Sequence, residues 1–129
     1  MFFKSKAKLS ENRKQLGKQG ETGAIRVLKK KGFKILEANY RTKMAEIDII
    51  AKDHDTIRFI EVKTRSNNRK GLPREAVTRT KQNKIIQAAL IYLKKNNLSE
   101  SKVRFDVMEV QQKNGKFSFN FIKNAFQTE

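Results

Sequence analysis

The chain has 129 residues, no cysteine and one histidine, and its 30 Lys and Arg against 13 Asp and Glu give a formal net charge of +17. This length fits one domain with a substantial core, and the lack of cysteine excludes disulfides, thiol nucleophiles and zinc–thiolate sites. No apolar run reaches membrane-spanning length and no signal peptide is predicted, so we expect a cytoplasmic protein. Basic residues spread along the whole chain predict an acidic partner, and nucleic acid is the first candidate.

The first half of the chain predicts one helix and three strands. Residues 1–10 are basic and aperiodic and predict a flexible arm, while residues 11–129 are expected to form a single domain. Small and apolar residues recur at helical spacing from Glu11 to Lys31, and Gly32 is a suitable stop. Strands are predicted over Phe33–Arg41, Ala45–Ile50 and Ile57–Lys63, where β-branched and aromatic residues are frequent.

The second half predicts a helix followed by two strands. A buried stripe indicates a helix from Arg74 to Asn96. Val103–Val110 and Phe117–Ile122 are expected strands joined by a turn. The predicted order is therefore α-β-β-β-α-β-β, an α/β fold in which a mixed five-stranded sheet is flanked by helices. The helix between strands three and four favours a parallel, right-handed crossover.

The two middle strands carry charged residues at alternate positions. A hairpin centred on His54-Asp55 places Asp48 opposite Glu61. The same register places Glu46 opposite Lys63, so that four charged side chains share one face. A one-residue slip would mix charge into the core and is therefore disfavoured. The other face is then predicted to be apolar, with Ile47, Ile49, Ala51, Ile60 and Val62.

These charges have two interpretations. Facing carboxylates such as Asp48 and Glu61 repel each other, and a divalent cation would relieve the repulsion. Oxygen ligands in small number suit Mg²⁺ or Mn²⁺, and Lys63 is suited to a phosphate oxygen, a combination typical of metal-dependent phosphodiester cleavage. Alternatively the charges are ordinary exposed ion pairs, which contribute little. Glu21, at the edge of the first helix's apolar stripe, is either a third acid over this patch or a salt-bridged glutamate.

Several basic residues are candidates for phosphate contacts, although each is equally compatible with a solvated surface. Most lie in the turn before the second strand, in the polar loop after Lys63 or near the start of the second helix. The candidates are Arg41, Lys43, Arg65, Arg69, Lys70, Arg74, Lys81 and Lys84.

The chain also resembles the YraN family, a group of small bacterial proteins described as candidate endonucleases. The resemblance extends over nearly everything after residue 14. It is carried by Gly17-x-x-Gly20-Glu21, Gly32-Phe33, Asn39-Tyr40-Arg41, Glu46-Ile47-Asp48, the run Phe59 to Arg65, Arg104-Phe105-Asp106-Val107 and Asn124-Ala125-Phe126. The family is similar to archaeal Holliday-junction resolvases, which implies the PD-(D/E)XK restriction-endonuclease-like fold. One departure is Ala45, where the family pattern usually has glycine.

The resemblance implies a site and a function. It makes Glu21, Asp48, Glu61 and Lys63 the catalytic residues, with Glu21, Asp48, Glu61 and the Val62 carbonyl as ligands of Mg²⁺ or Mn²⁺. The leading expectation is thus a metal-dependent endonuclease acting on DNA, with branched or structured DNA as the candidate substrate class and a homodimer as the candidate assembly. A non-catalytic nucleic-acid-binding module on a nuclease fold is the alternative. A basic structural protein of a ribonucleoprotein is the third hypothesis.

Overall fold

The computed structural model describes residues 6–66 and 77–128, with side chains from residue 12 onward. Two helices and five strands follow one another in the predicted order. The helices are α1 (Lys6–Lys30) and α2 (Arg79–Lys95). The strands are β1 (Lys34–Arg41), β2 (Glu46–Asp53), β3 (Thr56–Ser66), β4 (Lys102–Lys113) and β5 (Lys116–Phe126).

Both helices begin away from their predicted starts. Helix α1 begins at Lys6, so residues 6–10, which were expected in a flexible arm, are helical; Lys, Ala and Leu in this stretch are strong helix formers. Helix α2 begins at Arg79 rather than Arg74, after Thr78, whose hydroxyl accepts a hydrogen bond from the Lys81 amide at 3.2 Å. Neither helix, within the ranges described, is long and apolar enough to cross a membrane.

The sheet is mixed and has the strand order β1-β2-β3-β4-β5. All neighbouring strands are antiparallel except β3 and β4, which are parallel and joined through α2. Helix α2 packs on one face with Phe59, Phe105 and Val107. Helix α1 packs on the other face through Ala24 and Leu28. The structure thus confirms the predicted α/β architecture and the parallel crossover.

The β2–β3 hairpin has the predicted register. Its paired residues run from Asp53 opposite Thr56 to Ile49 opposite Ile60. The ladder ends there, one position short of the predicted Asp48–Glu61 pair. The two strands therefore separate at the point where the charged residues begin.

Ile47 departs from the predicted apolar face. Ile49, Ala51 and Ile60 pack with α1, and Val62 lies against them, as expected. Ile47 instead packs in the cluster formed with α2. The prediction was wrong for this residue: beyond Ile49, β2 stays paired with β1 but is no longer paired with β3, so the apolar face that the two strands share does not extend to Ile47.

The opposite end of the sheet is tied together by a buried ion pair. Asp106 on β4 is fully buried, and Arg58 Nη1 donates to its two carboxylate oxygens at 3.0 and 3.1 Å. Arg58 Nε also donates to Asp53 on β2 at 3.1 Å. The backbone amide of Asn124 on β5 donates to Asp106 at 2.7 Å. Four strands are therefore connected at the end of the sheet away from the β2–β3 opening.

Candidate active site

Asp48 lies in the opening between β2 and β3. The backbone amide of Val62 donates a hydrogen bond of 2.7 Å to Asp48 Oδ2. A carboxylate thus takes the place of the strand–strand hydrogen bonds that end at Ile49 and Ile60. The carboxylate is fixed by the backbone of the strand that carries Glu61 and Lys63.

Glu61 is the most buried acid of this site, with 7% of its surface exposed. Its Oε1 lies 3.7 Å from Lys63 Nζ on the same strand and 3.1 Å from Lys81 Nζ on α2. Lys81 was expected as a surface contact for nucleic acid, but in the structure it reaches the acid cluster. The helix thus contributes a second lysine to the site.

Glu21 reaches the site because α1 lies close to β3. A Cβ on Gly20 would overlap the Thr64 side chain, so the missing side chain lets the helix approach the strand. Asn39 on β1, whose φ is +55°, hydrogen-bonds to the Glu21 carboxyl group. Burial raises the pKa of Glu21, the nearby charges of Glu46 and Glu61 add to the rise, and the Asn39 hydrogen bond opposes it.

Burial, together with the charges of the neighbouring acids, changes the protonation of Asp48. Burial, followed by the charge of Glu61, raises the pKa of Asp48 from 3.8 to about 7. The hydrogen bond from Val62 opposes the rise, and Glu21 contributes a smaller increase. Without a cation beside it, Asp48 is therefore only partly ionised at neutral pH.

The two lysines also influence each other. Burial lowers the pKa of Lys63, and the neighbouring Lys81 lowers it further. Burial also acts to lower the pKa of Lys81, but contact with Lys63 and attraction to Glu61 outweigh it and raise that pKa. Lys81 is thus the more firmly charged partner of the acids.

Glu46 does not pair with Lys63 as predicted. Its Oε2 accepts a hydrogen bond of 3.0 Å from Arg41 Nε, and the two residues are ladder partners of β1 and β2. The register expectation for Glu46 was wrong because the β2–β3 ladder ends before this position. Ala45 closes the preceding turn, with its carbonyl accepting from the Thr42 amide at 2.9 Å, and its φ is not positive, so alanine causes no backbone strain there.

A cavity of about 360 Å³ opens beside these groups. It is lined by Arg13, Leu16, Gly17, Glu21, Asp48, Val62, Lys63 and Thr64. Sequence reasoning did not select Arg13, although Arg13, Gly17 and Glu21 follow one another at four-residue intervals and so share one helix face. Asn39 was likewise quoted only as part of a motif. The charge of Arg13 and its helical spacing from Glu21 could have identified it from the sequence. Asn39 could be identified only from its contact with Glu21 in the structure.

The other basic candidates are dispersed. Lys43 and Lys84 are exposed, and Arg41 is held by Glu46. Arg65 is half-buried, and among the described residues its Nε has no hydrogen-bond partner. Three further candidates, Arg69, Lys70 and Arg74, lie outside the described residues.

The oxygen donors of this site fit a hard divalent cation that keeps some coordination positions open for water or substrate. Within residues 6–66 and 77–128, no three or more His, Cys, Asp or Glu side chains are grouped so as to hold a metal ion by themselves. Mg²⁺, however, is commonly held by one or two carboxylates together with water and substrate phosphates. The mutual repulsion of Asp48 and Glu61 fits such an ion, since a cation would remove it.

A mixed five-stranded sheet between two helices defines an α/β protein and is consistent with the predicted restriction-endonuclease-like fold. A family model described as "Uncharacterised protein family UPF0102" matches residues 20–110. The chain belongs to the UPF0102 family, which confirms the predicted YraN membership.

Relatives match along most of their length. A UPF0102 protein of Desulforapulum autotrophicum is 48% identical over 120 residues, covering 92% of this chain and 99% of its own. One of Clostridioides difficile is 50% identical over 115 residues, covering 89% and 99%. One of Dictyoglomus thermophilum is 45% identical over 117 residues, with the same coverage.

Proposed function

We propose that this protein is a metal-dependent endonuclease that hydrolyses phosphodiester bonds in DNA. The observation that carries the proposal is the pair Asp48 and Glu61. They share one opening between two strands, and the charge of Glu61 disfavours the ionised form of Asp48. Such pairs are costly in a purely structural role, and they are common where a protein binds a cation.

Asp48, Glu61 and the Val62 carbonyl would hold Mg²⁺ or Mn²⁺, and Glu21 would contribute through a bound water rather than as a third direct carboxylate ligand. When bound, the ion supplies positive charge that polarises a phosphate and acidifies water. The chain's own part is to keep the donors in place. The Val62 amide fixes Asp48, Asn39 orients Glu21, and burial keeps Glu61 poorly hydrated.

Lys63 and Arg13 supply the complementary charge. Lys63 lines the cavity on the strand that carries Glu61, where its ammonium group is suited to stabilise negative charge developing on a phosphate. Arg13 lines the same cavity from α1, and its guanidinium group suits bidentate contact with phosphate oxygens. The net charge of +17 adds a long-range attraction for a polyanion.

Cleavage assays with labelled linear, nicked, flapped and four-way-branched DNA, and with RNA, test the proposal in Mg²⁺, Mn²⁺ and EDTA. We expect cleavage only with a divalent cation, and a loss of about 10²–10³ in rate or more for Asp48→Asn, Glu61→Gln and Lys63→Met. Asp55→Asn, in the exposed turn at the other end of the β2–β3 hairpin, is the matched control and should cut normally. Cleavage that persists in Asp48→Asn would overturn the proposal.

A second candidate function is a nucleic-acid-binding module that does not cut. The Lys81–Glu61 contact of 3.1 Å favours it, because a lysine that neutralises Glu61 reduces the need for a metal ion. Salt-dependent binding of DNA, with no cleavage in Mg²⁺ or Mn²⁺ and no heat on metal titration, would support this candidate over the first.

A further inference from the structure

A second groove lies on the other flank of α1, between that helix and the edge strand β5. It has a volume of about 540 Å³. Arg26, Lys30 and Gln19 line it from the helix, and Phe117 and Phe119 line it from the strand. None of its lining residues within the described chain is acidic.

The strand side of the groove is aromatic and lies in contact with the helix. The rings of Phe117 and Phe119 are stacked, with an interplanar angle of 25° and centroids 6.3 Å apart. Gly23 faces Phe119, and a Cβ at Gly23 would overlap the ring, so the helix touches the aromatic side chain directly. Both rings are half-buried and keep part of their surface open to the groove.

Sheet register places this groove near the candidate active site. Thr64, which lines the active-site cavity, is paired with Val110 on β4. Val110 is in turn paired with Phe119 on β5. Two strand spacings, about 10 Å, therefore separate Thr64 from Phe119. A flexible polymer bound at one position readily extends to the other.

We propose that the α1–β5 groove binds an unpaired nucleic-acid strand, with bases on Phe117 and Phe119 and phosphates on Arg26 and Lys30. Cationic and aromatic groups together match a single strand, because base faces are accessible there and are hidden inside a duplex. The inference rests on the proposed nucleic-acid function and narrows it to substrates with a single-stranded arm beside the cut. It does not depend on catalysis.

Photocrosslinking in EDTA tests the groove without any cleavage. An oligothymidylate carrying 5-iodouracil is irradiated with the full-length protein and digested with trypsin, which releases residues 117–123 as one peptide. We expect the crosslink in this peptide, and its loss in Phe119→Leu at unchanged folding. A crosslink confined to other peptides would overturn the inference, while leaving the proposed nuclease activity to its own assay.

Affinity measurements provide the second arm. The double variant Arg26→Ala/Lys30→Ala should bind a single strand roughly tenfold more weakly. The slope of log affinity against log salt concentration should become shallower by about 1.4, because single strands release about 0.7 counterion per phosphate contact and two contacts are lost. Blunt duplex affinity should change much less. Lys94→Ala, which removes a positive charge from α2 on the opposite face of the sheet, is the control. The groove assignment would be overturned if the double variant lost as much affinity for duplex as for single strand, or if it lost no more affinity than Lys94→Ala.

Discussion

Lys81 Nζ lies 3.1 Å from Glu61 Oε1, whereas Lys63 Nζ lies 3.7 Å from the same oxygen. Among the described residues, the nearest cation to the most buried acid of the site therefore comes from α2 and not from the strand that carries the acid. A lysine in this position neutralises Glu61 when no metal ion is bound, and a divalent cation would compete with it.

The first prediction concerns this competition. Lys81→Met should lower the free energy of unfolding in EDTA by about 1 kcal/mol, because a largely buried carboxylate loses its nearest partner. Mg²⁺ should then stabilise the variant more than it stabilises the wild type. Thermal unfolding with and without Mg²⁺ measures both effects. Lys84→Met, exposed on the same helix, is the control. The prediction would be contradicted if Mg²⁺ raised the unfolding temperature of the wild type and of both variants by the same amount.

The second prediction follows from Asp48, whose pKa is raised to about 7 by burial and by the charge of Glu61. A pKa above that of the unfolded chain means that the group's contribution to stability is complete below about pH 4 and is lost as the pH rises through 7. In EDTA, Asp48→Asn should therefore be more stable than the wild type at pH 8, by roughly 1–3 kcal/mol, and similar to it at pH 4.

Denaturant titrations at the two pH values check this prediction. Mg²⁺ at pH 8 should recover stability in the wild type and not in Asp48→Asn, because the ion replaces the proton between the carboxylates. A variant that is less stable than the wild type at pH 8 in EDTA would show that Asp48 is paired and stabilising instead.

The third prediction concerns the contact that brings Glu21 to the site. Gly20→Ala should destabilise the protein by roughly 1–3 kcal/mol and impair any activity that needs Glu21, because the new methyl group overlaps Thr64. Gly17→Ala is the matched control. Its Cβ meets nothing within 4 Å, so helix propensity should make it neutral or up to about 1 kcal/mol more stable. Addition of Thr64→Ala should recover part of the loss in Gly20→Ala, and the absence of any recovery would contradict the proposed overlap.

The fourth prediction separates structural acids from site acids. Asp106→Ala should cost roughly 3–5 kcal/mol, because it leaves Arg58 without its buried partner, while Asp106→Asn should cost less. Chemical denaturation measures the cost, and the activity per folded molecule should not change. A fully folded Asp106→Asn protein with lost activity would place this residue in the chemistry.

Much of the architecture was predictable because hydrophobic periodicity reports which face of an element is buried. The order of elements, the β3–β4 crossover and the Asp53–Thr56 register all followed from alternation and turn position. The length of the β2–β3 ladder could not be predicted, because the alternation of side chains does not indicate where two strands separate. For that reason the pairing of Glu46 with Arg41, and the side on which Ile47 packs, were not anticipated.

The candidate site was predictable in part for the same reason. One hairpin, β2–β3, carries Asp48, Glu61 and Lys63, so its local geometry was enough to predict that they lie together. Lys81 and Asn39 belong to other elements, and their contacts with Glu61 and Glu21 depend on how α2 and β1 are positioned. The metal ion, the DNA substrate and a homodimer stay predictions.

Because the Arg58–Asp106 pair lies at one end of the sheet, the two ends differ in how easily they open locally. At one end, four strands share a single buried polar cluster, and at the other, β2 and β3 separate around acids that repel. Amide protons near Arg58 should therefore exchange with solvent only through global opening, whereas those flanking Asp48 should exchange through local fluctuations. A substrate or ion that docks at the looser end can order it without disturbing the rest of the fold.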